Sequence, residues 1–154
     1  MSGTNAAAIK SKLVGTGNVL SGLTGMADSG VIVAYDMPRD IPREVVFGGD
    51  IAGPVELEAF RQDSSSRVTR DEQLTFQLYV QVRSLGQSTT EVSDTRACAI
   101  STLIENYIAL NSTLGGLTGL LVARVQDVRL TGSLDDEGAT SQVILTIGCQ
   151  TVET

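Results

Sequence analysis

The chain has 154 residues, of which 42% are hydrophobic and 19% charged, with a formal net charge of −7. A single domain of that length buries about 70% of its unfolded surface, so a wholly disordered chain is excluded. The acidity, with only Lys10 and Lys12 and nine arginines scattered between Arg39 and Arg129, argues against a surface that neutralises nucleic-acid phosphates, which needs clustered cations.

The apolar positions Ile9, Leu13, Leu20 and Leu23, with alanines at 6–8, predict a first helix from Asn5 to about Leu23, weakened or broken around Gly15 and Gly17. Val31–Tyr35 reads as a short strand stopped by Pro38, and Glu44–Phe47 as a second one ended by Gly48–Gly49. Residues 50–71 carry mixed charge, a proline and a serine triplet, which predicts an extended arm or long hairpin loop.

From Glu72 to Ser84 the period is two. Leu74, Phe76, Leu78, Val80 and Val82 alternate with Thr75, Gln77, Tyr79, Gln81 and Arg83, so the first set faces a core and the second meets water or another polar surface. Ser88–Glu91 is placed to cap a second helix that runs to about Asn111, with Glu91 and Asp94 near its positive end. Its expected apolar stripe is Val92, Ala99, Ile100, Leu103, Ile104, Tyr107 and Ile108. Two strands, about Leu120–Leu130 and Gln142–Thr151, close the chain, joined by a loop over 131–139. The fold class is therefore α+β, a mainly antiparallel sheet with two α-helices packed on one face, as one domain over 1–154.

Familiar catalytic equipment is scarce. The chain contains no histidine, the usual general base and metal ligand, and its two cysteines, Cys98 and Cys149, cannot assemble a zinc site alone. Each cysteine is expected to be a small buried hydrophobe in a reducing compartment. Asp135–Asp136–Glu137 lacks the alternate spacing of a calcium loop and reads as a solvated hairpin turn. Glu56 and Glu58 share one face of an extended arm, with nothing apolar nearby to raise a carboxyl pKa. No catalytic, cofactor or metal residue is assigned. No run of about 18 apolar residues spans a membrane, and no basic segment precedes an apolar core as in an export signal, so the expected setting is cytosolic.

ALNSTLGGLTGLL at 109–121 has the glycines of a phosphate cradle in the wrong order. A phosphate loop leads from strand to helix, so that helical N–H groups face the anion. Here the helix comes first. Asn111 is expected as a left-handed C-cap, and Gly115 and Gly116 as a hinge that redirects the chain into the closing hairpin.

The layout VIVAYDMP, REVVFGGDIAGP, a variable arm, LTFQLYVQVRS, TRACAISTLIENYIALNSTLGG and a closing hairpin resembles the tail terminator proteins of long-tailed bacteriophages over nearly the whole chain. The resemblance implies a structural virion protein forming a ring, commonly of six copies, at the head-proximal end of the tail tube. Such a ring stops tube polymerisation and joins the tail to a head-tail stopper or head-completion protein while DNA passes through its channel. It would be assembled in the host cytoplasm and reside at the neck of the virion. On that basis Thr75, Gln77, Tyr79 and Gln81 are assigned to the lumen or a subunit contact. Phe60, Arg61, Asp63, Arg67 and Arg70 are assigned to ring or partner contacts. The alternatives are a tail tube subunit, a stopper protein or, more remotely, a small carboxylate-dependent enzyme.

Overall fold

The structure, a computed structural model, describes residues 5–52, 61–62 and 68–153, and of 61–62, 68–72 and 152–153 the backbone alone. The first helix, α1, spans Ala6–Val14 and buries Ile9, Leu13 and Val14. It is shorter than the periodicity suggests because Gly15 ends it in an extended conformation and Gly17 is left-handed at φ +71°. The Asn18 amide donates to the Gly15 carbonyl at 2.8 Å, while its oxygen accepts from Ser21 N–H at 2.9 Å. That clamp turns the chain into 3-10 turns at Leu20–Gly22 and Ala27–Ser29, so Leu20 reaches the core without a continuous helix.

Strand β1, Ile32–Ala34, lies parallel to β2, Glu44–Ala52. The connection 35–43 therefore returns the chain to the same end instead of forming a hairpin. β2 does not end at Gly48–Gly49 as expected but runs through them. A Cβ on Gly48 would lie 2.8 Å from Lys10 Cε and 3.0 Å from the Tyr35 carbonyl oxygen, and one on Gly49 would collide with the Tyr79 ring. Both glycines thus permit close approach inside a strand, a role that sequence alone confuses with a strand end. A bulge between Gly48 and Ile51 bends β2 at this point.

β3, Arg61–Gln62, pairs with Thr69 and Val68 of β4, which spans Val68–Leu85. The described part of the predicted arm is therefore ladder extending β2 and β4, and the rest of 50–71 lies outside the described residues. The second helix, α2, covers Glu91–Leu110. β5, Leu120–Asp135, and β6, Gly138–Glu153, form a hairpin. The loop expected over 131–139 shrinks to a tight turn, because pairing continues to Asp135↔Gly138. Asp135 fixes that turn by accepting from the N–H groups of Glu137 at 2.8 Å and Gly138 at 3.0 Å.

The strand order is β1-β2-β4-β6-β5, antiparallel except for the first pair. This is the predicted α+β class. Leu74, Phe76, Leu78, Val80 and Val82 of β4 join Val143, Leu145, Ile147 and Cys149 of β6 in one core with both helices. The buried face of α2 departs from the expected stripe. It is Ser93, Ala97, Ile100, Ser101, Ile104 and Ile108, whereas Val92 and Ala99 are exposed.

Candidate functional site

Two helices cover one face of the sheet, and the residues assigned to a functional role on β4 point to the other. Gln73, Thr75 and Gln77 are exposed there and Tyr79 is half-buried. Cross-strand pairing continues this surface through Gln150, Gly148, Thr146 and Ile144 of β6 to Val122, Arg124, Asp127 and Arg129 of β5. Gly148 keeps the surface low in its middle, since a Cβ there would collide with the Gln126 side chain. Neutral amides and hydroxyls dominate, with isolated charges of both signs at the β5 edge.

Toward β2 the same face becomes apolar. Tyr79 stacks on Phe47 with ring centroids 5.1 Å apart and 14° between planes, and its hydroxyl donates to Gln77 Oε1 at 2.9 Å. Gln81 departs from the expected exposure: it is buried, and its Oε1 accepts from Gln142 Nε2 at 3.5 Å. Alternation in a single strand cannot foresee this, because the covering comes from neighbours distant in sequence. Of the arm assignments, Phe60, Asp63 and Arg67 lie outside the described residues, as do Glu56 and Glu58. Arg61 and Arg70 are strand residues described by their backbone.

The hinge after α2 is built differently from its sequence reading. Asn111 is not left-handed (φ −133°, ψ 63°); instead its side-chain amide donates to the Tyr107 carbonyl at 3.0 Å. The left-handed positions are Leu114 (φ 53°), Gly115 (φ 82°), Gly116 (φ 89°) and Gly119 (φ 86°). Leu114 accepts that conformation because its side chain is fully buried, so packing holds a backbone geometry that costs a non-glycine residue about 1–2 kcal/mol. Thr113 Oγ1 accepts from Gly116 N–H at 3.2 Å, and the Ser112 carbonyl accepts from Ala123 N–H at 2.7 Å. The turn is thus tied to β5.

Two polar clusters were not foreseen. Beneath the start of α2, Ser93 Oγ lies 2.6 Å from Ser141 Oγ, Ser141 donates to Asp94, and Thr90 Oγ1 donates to the same carboxylate at 3.0 Å. Thr90 thereby spends its hydroxyl on Asp94 rather than on a helix N–H, and within the predicted capping stretch it is Thr89 Oγ1 that accepts from the Glu91 N–H, at 3.5 Å. Beside it, Arg96 donates to Glu44 from Nε at 2.6 Å and from a terminal nitrogen at 3.1 Å. The guanidinium's pKa is raised above its ordinary value chiefly by that hydrogen bond. Arg96 and Glu44 border a cleft of about 630 Å³, together with Ile32, Arg43, Leu85 and Val92. Arg43 has no ion-pair partner among the described residues, and neither has Asp136 on the β5–β6 turn.

Cys149 is buried as expected, and burial pushes its thiol pKa up to about 11, whereas Cys98 is exposed on α2. Among the described residues no three His, Cys, Asp or Glu side chains converge as metal ligands, and no helix is long and apolar enough to cross a membrane.

No protein-family model and no curated protein matches the chain. Among solved structures, a chain from the virion of a native gene transfer agent particle is similar at 14% identity, covering 88% of this chain and 85% of that chain, with a TM-score of 0.44.

Proposed function

We propose that the chain is a structural subunit of a phage-like virion that acts as a tail terminator. Copies close into a ring, commonly six in the family it resembles, on the head-proximal end of the tail tube. The ring ends tube growth and presents a surface to a head-tail stopper or head-completion protein. The observation that carries this reading is the polar part of the second face of the sheet, where exposed Gln73, Thr75 and Gln77 of β4 sit beside Gln150 and Thr146 of β6. A channel that lets DNA slide requires such a wall, since every cationic contact with a phosphate adds salt-sensitive affinity and hence friction. The net charge of −7 acts in the same direction.

The role is structural rather than catalytic. The Asp135 carboxylate is engaged in its own turn and Asp94 in holding α2, which supports reading these acids as scaffold. Phe60, Arg61, Asp63, Arg67 and Arg70 are assigned to contacts with a neighbouring subunit or the tube. A tail tube subunit is the second reading, favoured by β1 and β5 standing at the two ends of the strand order, an arrangement that permits unlimited addition as well as closure. Light scattering and electron microscopy of the purified protein, alone and with isolated tail tubes, test the proposal. Closed rings or monomers that cap tube ends are expected. Long tubes formed by the protein alone would favour the second reading, and a strict monomer that ignores tube ends would remove both.

A further inference from the structure

Among the exposed large hydrophobic side chains, one group lies on β5 and another on β1 and the connection after it, while Leu85 on β4 and Val92 and Leu110 on α2 lie elsewhere. On the β1 side are Ile32 and, in the connection that follows, Met37 and Ile41; on β5 are Val128, Leu130 and Leu134, all between 37% and 54% exposed. The two strands stand at the opposite ends of the strand order, β1 beside the 3-10 turn Leu20–Gly22. β5 has a bulge between Val125 and Asp127, but beyond it the pairing is regular to Asp135. Val128–Leu134 is therefore a regularly paired edge segment in which Val128, Leu130 and Leu134 alternate with polar Arg129, Thr131 and Ser133, and an edge of this kind pairs with another chain unless covered.

Cross-strand register relates the two edges. Leu130 pairs with Val143, Val143 with Val80, Val80 with Val46 and Val46 with Val33. Thr131 connects likewise through Gln142, Gln81 and Val45 to Ile32. The apolar segment of β5 and the strand β1 thus occupy the same two rows at opposite ends of the sheet. The ladders also make β5 antiparallel to β1. A second copy set beside the first by rotation about an axis along the strands meets it at matching height and in antiparallel sense. Charge agrees with this arrangement at one pair of positions: Arg43, without an ion-pair partner among the described residues, lies beside Ile32, and Asp136, likewise without one, sits at the end of β5, whereas its neighbour Glu137 is paired with Arg83 at 3.2 Å.

We infer that the occupant of the β5 edge is a second copy of this chain, with Val128–Leu134 seated along β1 and the Arg43 side of its neighbour. The contact is head-to-tail: each copy uses both edges, so none is left self-paired. This deepens the ring reading above and relies on it only for closure.

The test uses the full chain with Cys98→Ser, which leaves only buried Cys149. Ile32→Cys and Thr131→Cys chains are prepared separately and oxidised alone and mixed. A covalent dimer is expected from the mixture and from neither variant alone, and Leu130→Glu in the Thr131→Cys chain is expected to reduce its yield about tenfold. No dimer in the mixture, or equal dimer from one variant alone, would overturn the contact. Light scattering of the wild-type chain separates the two ideas. Cross-linking together with open chains of no fixed size keeps the contact and removes the ring; closed rings without cross-linking keep the ring and remove this contact.

Discussion

Gly49 shows how one residue sets the local fold. Its missing Cβ leaves room for the Tyr79 ring stacked on Phe47. Gly49→Val forces that ring pair apart, and a cost of about 1–3 kcal/mol is expected from overpacking, read as a lower urea midpoint with unchanged slope. The cysteines give a second prediction at this scale. Exposed Cys98 should alkylate in the native protein at pH 8, whereas Cys149, with its thiol pushed up to about 11 and buried, should react only after unfolding. Mass spectrometry should find one label per folded chain and two after denaturation. Because the folded thiol pKa is raised, its contribution to stability is fully present below the unfolded value of about 8.5 and is lost as pH rises toward 11. A Cys149→Ala chain, though less stable overall, should show a shallower loss over that window.

At the scale of elements, the placement of α2 rests on its ion pair and its two flanking turns. Arg96 and Glu44 are a third or less exposed at the side chain, so partial solvent screening reduces the bidentate pair to about 1 kcal/mol. A double-mutant cycle with Glu44→Ala and Arg96→Ala should return a coupling of that size, and a coupling near zero would assign the placement of α2 to packing alone. After α2, a Cβ would meet open space at Gly116 and only ordinary contacts at Gly115, with the Tyr107 hydroxyl at 3.8 Å and Lys12 Cε at 3.9 Å, but both residues lie at positive φ. Valine at both positions is therefore expected to cost about 2–4 kcal/mol through backbone strain, measured by thermal unfolding, and to lower ring yield with it. Soluble double variants of normal stability that assemble normally would show that the hinge does not need its glycines. The sequence identified the glycines correctly but missed Leu114, because a buried leucine at positive φ is held by tertiary packing and leaves no local signature.

At the scale of the molecule, the helices cover one face of the sheet and leave Gln73, Thr75 and Gln77 exposed on the other. If that face lines a channel, replacing Thr75 and Gln77 by arginine should leave monomer stability within about 0.5 kcal/mol, since both sites are exposed. The ring should nevertheless retain DNA at low salt, with binding that falls steeply as salt rises, by nearly one unit of slope per new phosphate contact. Retention measured across a salt series checks this. Variant rings that bind DNA no better than the parent would move Thr75 and Gln77 out of the lumen.

The long alternation in β4, the four-residue spacing of Ile100, Ile104 and Ile108, and the Gly-flanked acidic turn determined the α+β class, because each is a local pattern legible in the sequence. Tertiary structure decided everything that depends on a partner far along the chain. It set the parallel entry of β1, carried β2 through Gly48–Gly49, buried Gln81 and exposed Val92 and Cys98. It also joined Ser93 to Ser141 and Arg96 to Glu44. Periodicity reports which side chains share a face; only the packed neighbours determine whether that face is covered, since burial depends on atoms from elsewhere in the chain.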